Sequence, residues 1–331
     1  MKQKLHVVIL VPELREVAAD DDLATLSTAH DVAKHYAALG HTTAIEYFEF
    51  DPATFQTMIK AAKPDCVFNL VESVYARSRL IHLPLVYLEE LRLPYTGCDA
   101  QSIFLSNDKL LAKRILQMIG VPSPPLLGGG ASEGLSGGQW IVKARHEHAS
   151  FGITQENVVK GADAARDLAG KLTRTHDIEW MIEDYVEGRE FNASIIELPE
   201  GPRVLPISEI EFCDYTAGMH KIVDYAAKWE AGSFESTNTV RNYDFAARDS
   251  RLLDTLRDLS LKIWHGFGLG GWARVDYRVS KDGRAYAVDI NANPDLSLDA
   301  GFMAAASQGG LTPSAAVEII TAAAIRQAQA R

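Results

Sequence analysis

Acidic and amide side chains recur at alternating positions in the stretch Ala273–Asn293, which reads ARVDYRVSKDGRAYAVDINAN. Side chains alternate between the two faces of a strand. Arg274 and Asp276 therefore share one face of a first predicted strand, and Asp289 and Asn291 share one face of a second. Two carboxylates side by side repel unless a cation lies between them. Oxygen ligands suit Mg²⁺, which commonly keeps substrate phosphates in its remaining positions. The stretch predicts a metal–phosphate site.

The register of this hairpin decides whether the two acids meet. If Ser280 pairs with Ala285 across a KDGR turn, the acids lie opposite each other and the guanidinium lies opposite the amide. The same register places Ala287 on the polar face, and Tyr286 and Val288 on the apolar face. Alternation alone also fits a hairpin whose polar face is only solvated, and that alternative stays open at this point.

Length and charge restrict the classes of function. The chain has 331 residues, which is enough for more than one domain. Its formal net charge of −11 argues against binding nucleic acid or an anionic membrane, although a local basic pocket would still suit a phosphate ligand. Cys66, Cys98 and Cys213 lie far apart without a CxxC spacing, so we expect buried free thiols.

Strands and helices alternate over the first hundred residues. The runs HVVILVP, TAIEYFEF and PDCVFNLVE each predict a buried strand, and helical segments separate them. This alternation indicates a parallel α/β domain, but no GxGxxG dinucleotide fingerprint follows the first strand. The apolar run Leu5–Val11 lacks a cleavage region behind it, and no segment approaches a membrane span. We therefore expect a cytoplasmic protein.

The rest of the chain distributes its elements differently. Helices are predicted at Asn107–Ile119, Ala246–Gly266 and Pro313–Ala328. The segment LGGGASEGLSGG has a flexible composition and predicts a surface loop rather than a phosphate cradle. Strands such as WIVKA and WMIEDYV flank a helical segment. We expect an α+β arrangement here.

Several motifs together resemble one enzyme family. RVDYRV…DGRAYAVDINANPDLS is similar to the metal-binding signature of ATP-grasp ligases, especially their D-alanine–D-alanine ligase branch. LPYTG followed by SNDKLLAKRILQMIGVPSP resembles the entry of that branch into its ATP-grasp region. VKARHEHASFGI resembles the phosphate loop, EDYVEGREFNASI the adenine-side hinge, and DYAAKW the mobile loop over the phosphates. The resemblance extends over nearly the whole chain.

The resemblance implies a fold, its boundaries and its cofactors. The fold would be an α/β N-terminal domain with a parallel sheet, followed by α+β ATP-grasp domains. Residues 1–103 would form a Rossmann-like substrate domain, 104–186 a small central ATP-grasp subdomain, and 187–331 a C-terminal subdomain with the metal and catalytic site. ATP would be bound with Mg²⁺, expected as two ions with Mn²⁺ as an alternative. The metal ligands would be Asp276, Asp289 and Asn291.

The resemblance also implies roles for individual residues. Arg274 would stabilise the transition state, and Lys228 would reach the γ-phosphate when its loop closes. The other nucleotide contacts would be two phosphate lysines, a phosphate loop, an adenine-side segment and a ribose acid: Lys109 and Lys143; Glu147, Ser150 and Gly152; Glu183, Asp184, Tyr185 and Val186; Glu190.

Departures from the family pattern cluster on the substrate side. Trp229 stands where D-alanine-ligating enzymes typically have tyrosine, and Ala149 stands where they have the serine that bonds it. Asp295 replaces a glycine, so either Asp295 or Asp299 would recognise an amine; alternatively, both acids cap or line the following turn. The metal ligand Asp289 is one methylene shorter than the usual glutamate.

Two acids in the N-terminal domain complete the predicted substrate site. Glu16, in ELREV, matches the acid that would bind the ammonium of the first substrate. Glu72, in FNLVES, lies where the family has a substrate loop. Both assignments follow from the resemblance.

The sequence therefore predicts an ATP-dependent carboxylate–amine ligase that forms an amide through an acyl phosphate. Its partners would be a small carboxylate and an amine, other than two D-alanines. A true D-alanine–D-alanine ligase of cell-wall synthesis is the nearest alternative. A non-catalytic nucleotide-binding protein, or an ATP-grasp enzyme that phosphorylates without forming an amide, are others. Analogy with the branch suggests a homodimer.

Overall fold

A parallel sheet forms the N-terminal part of the fold in the computed structural model, which describes residues 4–13, 20–128 and 137–330. Its strands are β1 (His6–Val11), β2 (Thr42–Tyr47) and β3 (Cys66–Asn69), and its helices are α1 (Asp20–Ala38), α2 (Pro52–Ala62) and α3 (Leu83–Glu90). The strand order is β2–β1–β3. Strand β1 is an unbroken apolar run because helices cover both faces of a parallel sheet.

Two consecutive helices lead into a small antiparallel sheet. They are α4 (Ala100–Asn107) and α5 (Lys109–Met118), and the sheet has the strands β4 (Gln139–Ala144), β5 (Val158–Lys160) and β6 (Trp180–Asp184), with helix α6 (Ala162–His176) between the last two. The strand order is β5–β4–β6. Asp108 separates the two helices because its carboxylate accepts the first free amides of α5, from Leu110 and Leu111.

A larger, six-stranded antiparallel sheet carries the C-terminal half. Its strands are β7 (Gly188–Leu198), β8 (Gly201–Val204), β9 (Ser208–Phe212), β10 (Thr239–Asn242), β11 (Trp272–Ser280) and β12 (Ala285–Ala292). The helices of this half are α7 (Tyr225–Trp229), α8 (Phe234–Asn238), α9 (Ser250–Phe267), α10 (Gly301–Gln308) and α11 (Pro313–Ala330). The order β10–β9–β7–β11–β12 places the hairpin strands at one side, and β8 extends β7. The predicted fold class is confirmed.

The β11–β12 hairpin has the predicted register at its functional end. Asp276 lies opposite Asp289, and Arg274 lies opposite Asn291. Towards the turn the register shifts by one residue, so that Ala285 pairs with Val279 rather than with Ser280. The pairing predicted for the turn was therefore wrong.

A β-bulge at Val288 explains this difference. The residue is extra on β12, between Ala287 opposite Tyr277 and the acid pair, and one extra residue reverses which face the following side chains take. Ala285 and Ala287 accordingly lie in the core, and the predicted placement of Ala287 on the polar face was wrong. The alternation of polar and apolar residues alone does not predict where a bulge occurs.

Three predicted helix boundaries also needed correction. The helix predicted from Asn107 begins at Lys109, because Asp108 caps it. The helix predicted from Ala246 begins at Ser250, after a short 3₁₀ turn over Ala247–Asp249. The last helix extends to Ala330. Of the glycine-rich loop segment, residues 129–136 lie outside the described part of the chain.

The cysteines also differ in part from expectation. All three are free, and Cys66 and Cys98 are buried, which raises the pKa of each thiol to about 12. Cys213, however, is exposed, so its predicted burial was wrong. None of the helices that the structure describes is long and apolar enough to cross a membrane.

Apolar contacts join the N-terminal sheet to the strand that carries Arg274. The rings of Phe68 in β3 and Trp272 in β11 stack with their centroids 6.0 Å apart. Next to them, a Cβ on Gly271 would lie 2.7 Å from the Cα of Gly97, so both segments need glycine for this close approach. These contacts fix the start of β11 against the N-terminal part of the fold.

Close backbone packing at the start of β7 gives a stability prediction. A Cβ on Gly188 would lie 1.9 Å from the Val279 carbonyl oxygen, so Gly188→Ala must displace β7 from β11. We expect a loss on the order of 2 kcal/mol or more in the free energy of unfolding, measured by denaturant titration. Gly218→Ala, where nothing lies within 4 Å, is the matched control. Equal stability of the two variants would contradict the prediction.

Candidate active site

A cleft of about 1250 Å³ runs between the sheets and collects the predicted site residues. Every predicted site residue in the described part of the chain lines this cleft, except Gly152. Glu16 lies outside the described residues. The cleft therefore brings together side chains from distant parts of the sequence, since Glu72 and Asp299 both line it.

Asp276 is held by two neighbours on the polar face of the large sheet. Arg274 donates to both of its oxygens, with Nε–Oδ1 2.7 Å and Nη2–Oδ2 2.9 Å. Asn192, which is its partner across the β7–β11 pairing, donates from Nδ2 to Oδ1 at 2.8 Å. The predicted catalytic cation thus contacts a predicted metal ligand directly, because Arg274 and Asp276 share one face of β11.

Asp289 faces a different set of groups. Its Oδ1 is 3.7 Å from Lys109 Nζ, and its Oδ2 is 3.5 Å from His148 Nδ1. Burial disfavours the charged carboxylate, but Lys109 and the other basic groups around it together outweigh burial, so that the pKa of Asp289 lies well below its usual value. Lys109 also donates to the carbonyl of Glu147 at 2.6 Å. Its pKa is lowered because it is buried.

The position of Lys109 follows from a salt bridge at the start of α5. Arg145, just after β4, donates to both carboxylate oxygens of Asp108, at 2.8 and 2.6 Å. Such a two-pronged contact fixes orientation as well as distance. Because Asp108 also caps α5, the first residue of that helix is directed towards the cleft.

Glu183 lies between two lysines in the interior. It is only 2% exposed, and its oxygens are 2.5 Å from Lys113 Nζ and 2.6 Å from Lys143 Nζ. Burial alone would raise the pKa of Glu183, but Lys113 and Lys143 hold it below its ordinary value. Lys143 also donates to the Val288 carbonyl at 2.8 Å, at the bulge of β12. The bulge therefore supplies an acceptor for a predicted phosphate lysine.

The adenine-side segment is organised by an arginine that sequence reasoning missed. Arg278 donates to the Val186 carbonyl at 3.0 Å and to Glu190 at 3.0 Å, and its guanidinium lies over the Tyr185 ring at 5.7 Å. Burial raises the pKa of Glu190 in spite of this partner. Arg278 shares a face of β11 with Asp276 and Arg274, which are two and four positions earlier, and that spacing was the available signal.

The phosphate-loop segment adopts an unusual backbone. Ala149, Ser150 and Gly152 have positive φ values of 56°, 61° and 61°. A Cβ on Gly152 would lie 2.8 Å from the Trp180 ring, which requires glycine there. The Ser150 hydroxyl donates to the Val223 carbonyl at 2.7 Å, and the Glu147 carboxylate accepts from a serine of the N-terminal part, Ser78, at 2.6 Å. The loop is thus held from both sides.

The DYAAKW segment forms a turn of helix, α7, rather than an irregular loop. Asp224 caps it by accepting from the Ala227 amide at 3.0 Å. Trp229 then donates from Nε1 to the Ala149 carbonyl at 3.1 Å. The two loops are therefore joined without the pair of hydroxyls whose absence was noted in the sequence.

The two acids after the hairpin face different neighbours. Asp295 is exposed and accepts from the Ser297 amide at 2.8 Å and from the Ser297 hydroxyl at 2.6 Å. This is the turn-capping arrangement that the sequence had left as an alternative. The Asp299 carbonyl accepts from Arg241 at 3.3 Å.

The donor set at the hairpin fits a hard cation. Within the described ranges no group of three or more His, Cys, Asp and Glu residues is arranged to hold a metal ion. Asp289 Oδ1 is nevertheless buried without a hydrogen-bond partner. Carboxylate and amide oxygens from Asp276, Asp289 and Asn291 would supply part of a coordination shell, and phosphate oxygens the rest, which is the usual arrangement for Mg²⁺.

Comparison with known proteins now decides the family. Residues 138–322, more than half of the chain, match the family model described as the D-ala D-ala ligase C-terminus. The chain belongs to the D-alanine–D-alanine ligase family. Members of the D-alanine–D-alanine ligase family are ATP-grasp enzymes, so this protein is an ATP-dependent carbon–nitrogen ligase. The family predicted from the motifs is confirmed.

Individual relatives of this D-alanine–D-alanine ligase family member are distant. The uncharacterized protein y4sG of Sinorhizobium fredii is 27% identical over 281 residues, which cover 82% of this chain and 79% of that protein. The D-alanine–D-alanine ligase of Aquifex aeolicus is 27% identical over 303 residues, covering 89% and 94%.

Solved structures from the same family share its fold. The D-alanine–D-alanine ligase of Bacillus anthracis complexed with ATP has a TM-score of 0.72 at 18% identity, covering 98% of this chain and 99% of that one. The enzyme from Coxiella burnetii has a TM-score of 0.69 at 17% identity, covering 99% and 97%.

The buried Glu183 gives a pH prediction for this family member. Since its pKa is lowered on folding from the ordinary value of 4.5, it stabilises the protein above pH 4.5, and that contribution is lost as the pH falls further. Glu183→Gln leaves two buried lysines without their counter-charge and should cost about 3 kcal/mol at pH 7. Its stability should also fall less steeply than that of the wild type below pH 4.5.

Glu187→Gln is the matched control, because Glu187 and its partner Lys281 are exposed. It should change the free energy of unfolding by less than about 1 kcal/mol. Denaturant titrations of the three proteins between pH 3 and pH 7 measure both effects. Parallel pH profiles for wild type and Glu183→Gln would show that the buried carboxylate does not titrate in this way.

Proposed function

We propose that the protein binds ATP and Mg²⁺ in this cleft and uses them to join a small carboxylate to an amine. One observation carries the proposal: the acids Asp276 and Asp289 face each other across the hairpin while Lys109, Lys143 and Arg274 surround them. A triphosphate needs such cations on several sides, because catalysis of phosphoryl transfer rests on positioning and charge neutralisation. The D-alanine–D-alanine ligase of Bacillus anthracis, whose structure was solved in complex with ATP, supports the same cofactor.

The proposed reaction has two steps. A carboxylate oxygen of the first substrate attacks the γ-phosphorus, the bond to the β-phosphate oxygen breaks, and ADP leaves. The nitrogen of an amine then attacks the acyl carbon of the resulting acyl phosphate, and phosphate leaves as the amine loses a proton. No protein nucleophile takes part.

The residues of this chain have distinct tasks in these steps. Asp276, Asp289 and Asn291 would hold Mg²⁺, which supplies charge neutralisation at the phosphates when it is bound. Arg274 already points along the polar face of β11, where it would contact the transferred phosphoryl group once Asp276 turns to the metal. Lys228, on α7, would cover the γ-phosphate and exclude water.

The nucleotide would lie between the small sheet and the large sheet. Lys109 and Lys143 would contact its phosphates, together with the loop of Glu147, Ser150 and Gly152. Glu190 would accept from the ribose hydroxyls. The adenine would bind along the backbone of residues 183–186, since the Glu183 side chain is already paired with its lysines. The division at residues 1–103, 104–186 and 187–331 would place this cleft between subdomains.

The amino-acid pocket is proposed to accept a pair of substrates other than two D-alanines. Trp229 puts an indole where the relatives of this branch place a smaller ring, and Asp295 brings a carboxylate to a position that is usually glycine. Glu72 would line the first-substrate side. The relatives named as D-alanine–D-alanine ligases keep the cell-wall reaction as the second candidate.

Product analysis tests the proposal directly. Phosphate release from ATP and Mg²⁺ is measured against a grid of D- and L-amino acids and small carboxylates, and products are identified by mass spectrometry. We expect turnover that requires both an acid and an amine, without D-alanyl-D-alanine. Formation of that dipeptide would support the second candidate instead. Phosphate release without any amine would contradict amide formation.

Arg274→Lys gives a second prediction for this reaction. The lysine keeps the positive charge but loses the planar fork that contacts Asp276 now and would contact the phosphoryl group later. We expect kcat to fall by about 10²-fold while the affinity for ADP changes little. Arg284→Lys, at the exposed hairpin turn, is the control and should keep full activity. A kcat within a few-fold of wild type for both variants would remove Arg274 from the catalytic step.

A further inference from the structure

His148 belongs to the phosphate-loop segment and faces the metal-ligand hairpin, and the proposed mechanism does not use it. Its Nε2 is 2.8 Å from Asn107 Oδ1, and its Nδ1 is 3.5 Å from Asp289 Oδ2. The side chain is mostly buried, with 21% exposed. The imidazole therefore connects Asn107, at the end of α4, with Asp289 in β12.

The contacts of Asn107 decide which ring nitrogen carries a proton. Its Nδ2 donates to the Ser78 carbonyl at 2.9 Å, and a carbonyl can only accept. The amide oxygen is thus the atom that faces His148, and an amide oxygen also can only accept. His148 must therefore donate from Nε2, which leaves Nδ1 of the neutral ring with a free lone pair.

That lone pair points at the carboxylate of Asp289. Neither His148 Nδ1 nor Asp289 Oδ1 has a hydrogen-bond partner, although both atoms are buried. The separation of 3.5 Å between Nδ1 and Oδ2 exceeds the roughly 2.7–3.2 Å of an ordinary N–H···O bond. In the neutral form of the ring, a cation between Nδ1 and Oδ2 would satisfy both acceptors at this separation.

The separation is the one expected for two neighbouring ligands of a single ion. Ligand atoms about 2.1–2.2 Å from a divalent cation, at angles of about 90–110°, lie about 3.0–3.5 Å apart. The ring needs no rotation to reach such a position, because its bond to Asn107 already fixes its orientation. Hydrogen bonding of the second ring nitrogen is also how metal-binding histidines are usually oriented.

We propose that His148 Nδ1 is a nitrogen ligand of the metal ion that Asp289 holds, with Asn107 and Ser78 positioning the ring. The inference rests on the proposed function, since it places this ligand at the ATP–metal site. A nitrogen ligand favours borderline cations, whereas Mg²⁺ prefers oxygen. The site is therefore suited to a cation such as Mn²⁺, and the short Asp289 shares its ion with the imidazole.

Pulsed electron paramagnetic resonance of the full-length protein with Mn²⁺ and ADP tests this directly. We expect echo modulation from a directly bound ¹⁴N nucleus. Incorporation of histidine with ¹⁵N in its ring should replace that modulation with the ¹⁵N pattern. This labelling needs no substitution, so the result cannot be attributed to a misfolded variant, and it excludes nitrogen from adenine or from backbone amides.

Two variants assign the signal to one residue. His148→Asn should abolish the histidine modulation, and it should lower the affinity for Mn²⁺–ADP at least about tenfold relative to Mg²⁺–ADP. His146→Asn is the matched control, because His146 lies in the same loop but faces Asp108 at 3.9 Å. It should leave both readings unchanged.

The outcomes separate this inference from the proposed function. Binding of Mn²⁺–ADP without histidine modulation would overturn the nitrogen ligand and leave the ligase proposal intact. Modulation that persists in His148→Asn would overturn the assignment to this residue. If Mn²⁺–ADP does not bind the wild-type protein at all, the proposed nucleotide site itself fails, and the inference fails with it.

Discussion

The ion pairs of Glu183 with Lys113 and Lys143 are the constraint on which the site depends. They join α5, β4 and β6, and through the Val288 carbonyl they reach β12 as well. A buried carboxylate between two ammonium groups loses several kcal/mol if any one partner is removed. Because α5 and β4 carry Lys109 and Lys143, these cations of the cleft cannot move apart independently, and their spacing is set before any ligand arrives.

The same arrangement explains how so many positive charges persist near one another. Lys109, Lys143, Lys228 and Arg274 all line one cleft, and without a ligand their repulsion must be offset within the protein. Arg274 is bound to Asp276, and Lys109 lies beside Asp289. The acids that would hold the metal thus serve as counter-ions in its absence. Binding of a metal nucleotide would exchange these internal pairs for contacts to phosphate.

Sequence reasoning predicted the functional end of the hairpin although it misplaced the turn. Asp276 lies opposite Asp289, and Arg274 opposite Asn291, because the extra residue at Val288 restores the pairing that the shifted turn would otherwise lose. The bulge at Val288 could not be predicted from alternation. Its carbonyl accepts a hydrogen bond from Lys143, which lies in the small sheet. Only the packing of the small sheet against the large one places Lys143 beside Val288. The break at Asp108, by contrast, had a local signal, since aspartate is a preferred helix cap.

Residues that act through distant partners were the ones missed. Asn192 is an ordinary strand residue until β7 pairs with β11, and Lys113 is an ordinary helical lysine until Glu183 lies beside it. Its spacing of one helical turn from Lys109 was visible, but a lysine on a helix is usually solvated, and nothing in the sequence marked this one as buried. The family resemblance supplied the roles of the nucleotide-binding and substrate residues. Residue patterns alone would not have assigned those roles.

The contact between Trp229 and Ala149 has a consequence for how the protein could diversify. The acceptor is a main-chain carbonyl, which every amino acid at position 149 would present. Substitutions there can reshape the wall of the cleft without breaking the link between the two loops. An enzyme that used paired hydroxyls would need two coordinated changes for the same shift. The positive φ of position 149 disfavours β-branched residues, and among the residues that it accepts, selection for a new substrate can act one mutation at a time.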